Sequence, residues 1–167
     1  MLVAALAVLL VLGGVAGWGI SKIGGAPETN ADGPSATAVA GGLMRSCGTG
    51  FCPLEPLCWG GVTAISGKAH PPSRIDCTQE HSWETFVALE VPEGAVGVRQ
   101  DSLMGREEIA NACSAAVMAT RSEDPAATRS WRREAWPIAL PEGSIPLMHC
   151  IAAPALGGTT GGAFQVG

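Results

Sequence analysis

The chain has 167 residues, a net charge of −5, five tryptophans, three phenylalanines and no tyrosine. This length accommodates one domain with a short extension, and the acidic balance excludes the basic footprint of a nucleic-acid-binding protein. Glycine and proline contribute 23 and 12 residues, which favours a loop-rich fold over a helical bundle. We therefore expect one small domain and no nucleic-acid partner.

The first segment of the chain is apolar, since no charged side chain precedes Lys22. About 20 mostly apolar residues suffice for a helix to cross a bilayer, so we predict a single transmembrane helix over residues 1–23. A cleaved signal peptide and a buried core helix are the alternatives. The signal peptide is disfavoured because no basic residue precedes the apolar run and no small-residue cleavage site follows closely. Lys22 alone favours a cytoplasmic location for the rest of the chain, whereas the cysteines favour the outside.

Two stretches are rich in small residues and lack a periodic apolar face. Residues 24–46 are predicted to be a flexible linker, and residues 155–167 a flexible tail. Neither stretch offers enough apolar surface to offset its conformational entropy. The compact domain is therefore predicted over residues 47–154.

Strands are predicted on both sides of one helical segment. Residues 62–66 (VTAIS) are rich in β-branched side chains, and a last strand is expected over Leu147–Ile151. The clearest strand is SWETFVALEVP, residues 82–92, because its side chains alternate. One of its faces is predicted to carry Trp83, Thr85, Val87, Leu89 and Val91.

A single helix is predicted from Asp101 or Ser102 to about Arg121. Its apolar positions have helical spacing and place Cys113 on the buried face. The predicted fold class is therefore α+β: a small antiparallel sheet with one packed helix, disulfide-stapled and preceded by a single transmembrane helix. The apolar face comprises Ile109, Ala112, Cys113, Ala116 and Val117.

All six cysteines lie within the predicted domain, and an even number indicates disulfides formed in an oxidising compartment. Free thiols are an alternative, and a metal site is disfavoured because no C-x2-C pair or H-x3–5-H pair occurs. Spacing alone leaves the connectivity open. The order of the predicted elements suggests one set of three pairs. Closing each of the two larger loops would add about 3 kcal/mol to the free energy of unfolding. The pairs are Cys113 with Cys150, Cys58 with Cys77, and Cys47 with Cys52.

One stretch of the chain resembles a known family. The run CWGGVTAISGKAHPPSRIDCTQEHSWETFVALEVP (residues 58–92), the helical Cys113 and the strand with Cys150 resemble the septum formation-related domain of actinobacteria. A similar arrangement occurs in the extracytoplasmic C-terminal region of actinobacterial receptor-like serine/threonine kinases. The resemblance covers residues 58–151, whereas Cys47 and Cys52 lie outside its four-cysteine pattern. It implies an extracytoplasmic location in the cell envelope and no mechanism.

Sequence motifs for catalysis are missing from the chain. A kinase needs a glycine-rich loop, H-R-D and D-F-G, and hydrolases carry motifs such as G-x-S-x-G or H-E-x-x-H. Asp76, His81 and Ser82 are the residue types of a catalytic triad, but no nucleophile elbow accompanies them. We therefore predict no enzymatic activity, no metal and no cofactor.

Three side chains remain as candidates for ligand binding. His81 follows Cys77 by four residues and is interpreted first as a structural group bonded to backbone beside the disulfide. Its alternative role is ligand binding or pH sensing, because imidazole titrates near neutrality. Trp59 and Trp83 are interpreted first as packing residues and alternatively as a platform for carbohydrate stacking.

These observations favour a non-enzymatic, membrane-anchored extracytoplasmic binding or scaffold domain. Its expected partners are the membrane itself and envelope proteins, division proteins or cell-wall components. One alternative is a sensor ectodomain fragment of a receptor-like serine/threonine kinase without its catalytic domain. Another is a secreted hydrolase or redox protein.

Overall fold

A computed structural model describes residues 38–167 of the chain. In this part the strands are short, apart from three that have seven or eight residues. The strands are β1 (Ala38–Val39), β2 (Met44–Cys47), β3 (Gly50–Pro53), β4 (Cys58–Gly60), β5 (Ala64–Ile65), β6 (Lys68–Ala69), β7 (Ser73–Ile75), β8 (Trp83–Glu90), β9 (Arg132–Ile138) and β10 (Leu147–Ala153), and the helices are α1 (Gln100–Leu103), α2 (Glu107–Ala112), α3 (Ala115–Arg121) and α4 (Pro125–Thr128).

The long strands β8 and β10 form the centre of an eight-stranded antiparallel sheet. The strand order is β1-β2-β3-β8-β10-β9. The edge of β8 opposite β10 is shared by two strands, because β3 pairs with it at Ala88 and β4 pairs with it at Trp83 and Glu84. Strand β7 pairs with β4, and β5 and β6 form a separate hairpin. Strands from distant parts of the sequence thus converge on β8.

The α+β prediction of one helix on a small sheet is wrong, because the sheet dominates and the helical segment is broken into three. The first break lies at Gly105, between α1 and α2. The second lies at Ser114, whose backbone is extended (φ −70°, ψ 159°) and whose hydroxyl accepts a hydrogen bond from Val117 N–H. A serine in this role starts a new helix. The apolar spacing from Ile109 to Val117 continues across the second break, so the sequence pattern does not reveal that break.

The predicted fold also included a transmembrane helix over residues 1–23, and these lie outside the described residues. Between residues 38 and 167 the longest helix, α3, has seven residues. No helix in that range is long and apolar enough to cross a membrane.

Strand β8 lies where the alternating pattern predicts a strand, but its faces change in the middle. Cys150 pairs with Val87, whereas the next residue of β10, Ile151, pairs with Thr85. The residue between them on β8, Phe86, is therefore extra, which is a β-bulge. Val87 consequently packs on the opposite face from Trp83. The predicted single face from Trp83 to Val91 is wrong, because the bulge shifts the alternation by one residue.

Buried apolar side chains form two clusters, one on each face of the central strands. The helix-side cluster is packed against α1, α2 and α3. The tryptophan cluster combines Met44 of β2 with Trp136 of β9, which lie near opposite ends of the strand order, so the sheet curls around it. The helix-side cluster includes Phe86, Val87, Leu103, Ile109, Cys113, Met118, Met148, Cys150 and Phe164, and the tryptophan cluster includes Met44, Leu57, Trp59, Trp83, Trp136, Ile138 and Ile151.

Parts of the predicted linker and tail are packed into the domain. Residues 38–46 form β1 and most of β2, and Met44 is fully buried. Residues 157–167, the C-terminal strap, lie along the domain through backbone hydrogen bonds at Thr159, Ala163 and Gln165. Phe164 anchors the strap, since it is 4% exposed and its ring lies 5.5 Å from that of Phe86. One aromatic side chain and backbone pairing thus hold a segment whose composition suggests a flexible tail.

The disulfide framework is confirmed, and the three pairs are those suggested by the predicted elements. Cys113 follows α2 and is bonded to Cys150 of β10 inside the helix-side cluster. The other pairs connect β4 to the loop after β7 and cross the β2–β3 hairpin. They are Cys58–Cys77 and Cys47–Cys52.

Candidate functional site

An open cleft of about 650 Å³ lies at the rim of the tryptophan cluster. Its walls come from the β5–β6 hairpin, from α1 and the residue before it, and from β9. Trp83 and Trp136 supply its aromatic part. Its charged and polar side chains are Arg99, Gln100, Asp101, Arg132 and Glu134.

Strand β9 gives the cleft a row of chemically different groups. Alternate residues of a strand point to one face, so Arg132, Glu134 and Trp136 lie in line along the cleft. The Arg132 guanidinium carbon lies 5.0 Å from the centroid of the Trp83 ring, within the range of a cation–π interaction. Arg132 therefore covers Trp83 and holds its own charge at the mouth of the cleft.

The acidic groups of the cleft differ in environment. Glu134 is half-buried, and this burial raises the pKa of its carboxyl group, although the charge of Arg132 opposes the shift. Asp101 is exposed and lies 2.8 Å from Arg99, and the hydrogen bond from Arg99 lowers the pKa of Asp101. The cleft thus offers one paired acid and one acid that burial makes easier to protonate.

Gln100 connects the three walls of the cleft. Its backbone N–H donates to the Gly67 carbonyl of the hairpin at 2.8 Å, and its side-chain amide donates to the Ala135 carbonyl of β9. Its side-chain oxygen is buried without a hydrogen-bond partner among the described residues. Gly67 adopts a left-handed backbone (φ +80°) that suits glycine at the hairpin turn. These contacts fix the walls before any ligand arrives.

The structure brings the sequence-predicted Trp59 and Trp83 together, because they are direct partners across β4 and β8. Both rings are enclosed, with 1% of Trp59 and 7% of Trp83 exposed. A stacking platform needs an exposed ring face. The packing interpretation of both residues therefore fits the geometry better than the carbohydrate interpretation.

Trp59 also belongs to a buried hydrogen-bonded group that no sequence motif indicates. Its indole N–H donates to Thr85 Oγ1 at 2.8 Å, and that oxygen lies 3.1 Å from Nδ1 of His149. Complete burial lowers the pKa of His149 to about 3, so its ring is neutral at pH 7. Its Nε2 has no hydrogen-bond partner among the described residues. The only sequence signal was a histidine inside an apolar strand.

His81, the third predicted candidate, lies in a second buried polar group. Its Nδ1 lies 2.9 Å from the Gln79 carbonyl, and its Nε2 lies 3.1 Å from Oε1 of Glu84. A carbonyl only accepts, so Nδ1 carries a proton, and Nε2 and Oε1 must share a second one. The other carboxylate oxygen of Glu84 accepts from Ala163 N–H at 2.7 Å. His81 and Glu84 together therefore fix the start of β8 to the C-terminal strap.

The same place holds the residue types of a metal site. Cys58, His81 and Glu84 bring one sulfur, one nitrogen and one oxygen atom within 4.8 Å of one another. Cys58 is bonded to Cys77, so its sulfur is not a thiolate in the oxidised domain. The disulfide-bonded form therefore offers only the histidine and the carboxylate as ligands.

Comparisons with protein-family models, with curated proteins and with solved structures find no match for this chain. The resemblance to the septum formation-related domain stays a prediction based on residues 58–151.

Proposed function

We propose that this chain is a non-enzymatic binding domain that works outside the cytoplasmic membrane and contacts components of the cell envelope or the division septum. The observation that carries the proposal is a polar, charged cleft on a domain cross-linked by three disulfides. Disulfides persist in oxidising compartments, which supports a location beyond the cytoplasm.

The cleft suits a peptide-like ligand that carries both charges. Arg132 and Glu134 are adjacent on one face of β9, so they present a cation and an acid to the same ligand. Walls that are already tied together lose little conformational entropy on binding. Complementary charge gives such a site its selectivity.

The binding proposal is tested with a charge-neutral pair of cleft substitutions, R132A with E134Q. The matched control is R129A with E123Q, which removes the same two charges at exposed positions outside the cleft. Wild type and both variants are sedimented with purified cell-wall and membrane fractions over a range of concentrations. We expect the cleft variant to bind about 10-fold more weakly, a loss of about 1.4 kcal/mol, and the control to bind like wild type. Equal binding by all three proteins would refute a role for the cleft.

The location is tested by thiol labelling of the protein in intact cells under conditions that preserve disulfides. We expect no labelling of the six cysteines, because all six are paired. Labelling of all six would contradict both the oxidised state and the extracytoplasmic location.

A further inference from the structure

We propose that reduction of the Cys58–Cys77 disulfide opens a zinc site at the start of β8, with Cys58, His81 and Glu84 as ligands. The three ligand atoms already lie within 4.8 Å of one another. All three residues are buried, with none more than 2% exposed. This inference is independent of the cleft and of its ligand.

The donor set and its spacing suit zinc. Zinc takes cysteine sulfur, histidine nitrogen and carboxylate oxygen in tetrahedral sites, and its bond lengths place ligand atoms about 3.3–3.8 Å apart. His81 Nε2 and Glu84 Oε1 are separated by 3.1 Å. A metal ion would take the place of the proton that these two atoms share. Cys58 must move its sulfur by roughly 1 Å, which the loss of its bond to Cys77 permits.

The groups behind the ligands hold them in position. The Gln79 carbonyl fixes Nδ1 of His81 at 2.9 Å, and the Ala163 N–H fixes the outer oxygen of Glu84 at 2.7 Å. Both contacts turn the remaining ligand atoms toward each other. Cys58 is the direct cross-strand partner of Glu84. Partners of this kind orient the ligands in metal sites generally.

The redox step exchanges one disulfide for another. A thiolate of a dithiol reductant attacks the sulfur of Cys77, which is half-buried, and Cys58 leaves as a thiolate. The second thiol of the reductant then releases Cys77, so the reductant ends as a disulfide and the domain gains two thiols. Zinc displaces the thiol protons and the proton shared by His81 and Glu84.

Two single substitutions separate this proposal from a general effect of losing the disulfide. C77A and C58A remove the same cross-link, and each leaves one thiol with the other two disulfides intact. Zinc chloride is titrated into each variant, with affinity measured by calorimetry and stoichiometry by native mass spectrometry. We expect C77A to bind one zinc ion at least about 10-fold more tightly than C58A, since even an outer-shell change costs about 10–100-fold. Equal affinity would overturn the assignment of Cys58.

Folding provides a second measurement in case the variants lose their structure. Zinc that binds only the folded form stabilises it, so zinc should raise the melting temperature of C77A or restore its near-ultraviolet circular dichroism. C58A and C77A/E84Q should respond much less. If zinc neither binds C77A nor restores its fold, the site does not exist.

Discussion

The two faces of the central sheet are stabilised in different ways. The helix-side cluster is apolar, is covered by three short helices and contains the buried Cys113–Cys150 cross-link. The tryptophan cluster instead encloses the polar groups of Thr85 and His149, and its rim carries the cleft. Apolar burial requires no particular partner atom, whereas a buried polar group that loses its hydrogen-bond partner costs about 1–3 kcal/mol. The face that carries the candidate site is therefore the one whose polar groups must be satisfied.

The largest expected effect concerns the cross-link of the helix-side cluster. The double substitution C113A/C150A should lower the free energy of unfolding by about 4 kcal/mol, because it opens a loop with a sequence separation of 37 residues. The matched double substitution C47A/C52A removes a cross-link with a sequence separation of only 5 residues. It should lower the free energy of unfolding by about 2 kcal/mol. Urea unfolding of both proteins gives the comparison. Equal losses would show that loop closure does not determine the contribution of these disulfides.

The buried hydrogen bonds that link Trp59, Thr85 and His149 are broken by T85V. This substitution keeps the shape of the side chain and removes its hydroxyl. This leaves Trp59 N–H and Nδ1 of His149 without a partner. We expect the free energy of unfolding to fall by about 2–6 kcal/mol, since each of the two unsatisfied buried groups costs about 1–3 kcal/mol. T120V removes an exposed hydroxyl that donates to a backbone carbonyl, and should change stability by less than about 0.5 kcal/mol. A small effect of T85V would mean that water satisfies the group.

His149 should make the domain sensitive to acid. Burial lowers its pKa in the folded state to about 3, whereas the unfolded chain titrates near its ordinary value of 6.5. The unfolded state therefore takes up a proton first, and stability is lost as the pH falls from about 6.5 toward 3. Between pH 6 and pH 4 the loss should be roughly 2–3 kcal/mol, at about 1.4 kcal/mol per pH unit. H149Q should flatten this dependence in urea unfolding, and H70Q, at an exposed position, should not.

The smallest expected effect concerns the start of α3 on the helix side. S114A removes the hydroxyl that accepts a hydrogen bond from Val117 N–H. It should lower the free energy of unfolding by about 1 kcal/mol. Ser102, whose hydroxyl contacts exposed Asp101, is the control position. If S114A is neutral, packing rather than capping fixes the break between α2 and α3.

Local patterns in the sequence predicted β8, β10 and the cysteine pairs, but they did not predict β9 or the short strands β1 to β4. Strand β8 follows from β-branched and aromatic alternation, and the position of Cys113 between Ile109 and Val117 predicted a buried partner. The bulge at Phe86 was not predictable, because it depends on the register with β10. The break between α2 and α3 was not predicted, because the apolar spacing continues past Ser114. Contacts between residues that are distant in sequence determine these features, and local sequence spacing carries no information about such contacts.

The candidate site likewise combines a contact that the sequence suggested with contacts that it did not. Cys58, Trp59, His81 and Trp83 converge at the start of β8, and the sequence had suggested only one contact in this region, the pairing of Cys58 with Cys77. The cleft was not predictable, because it joins α1 to β9 and to a hairpin that are distant in sequence. Glu84, the partner of His81, lies three residues later within a strand and carries no motif. Its role follows only from the return of the C-terminal strap.

Ala163 in that strap joins two elements through one peptide unit. Its N–H is held by the carboxylate of Glu84, and its carbonyl accepts from the amide of Glu123, next to the end of α3. Detachment of the strap would therefore release both amides to solvent in the same opening event. Their hydrogen–deuterium exchange rates should report a single opening free energy, which makes this residue a reporter of cooperativity between the sheet and its helices.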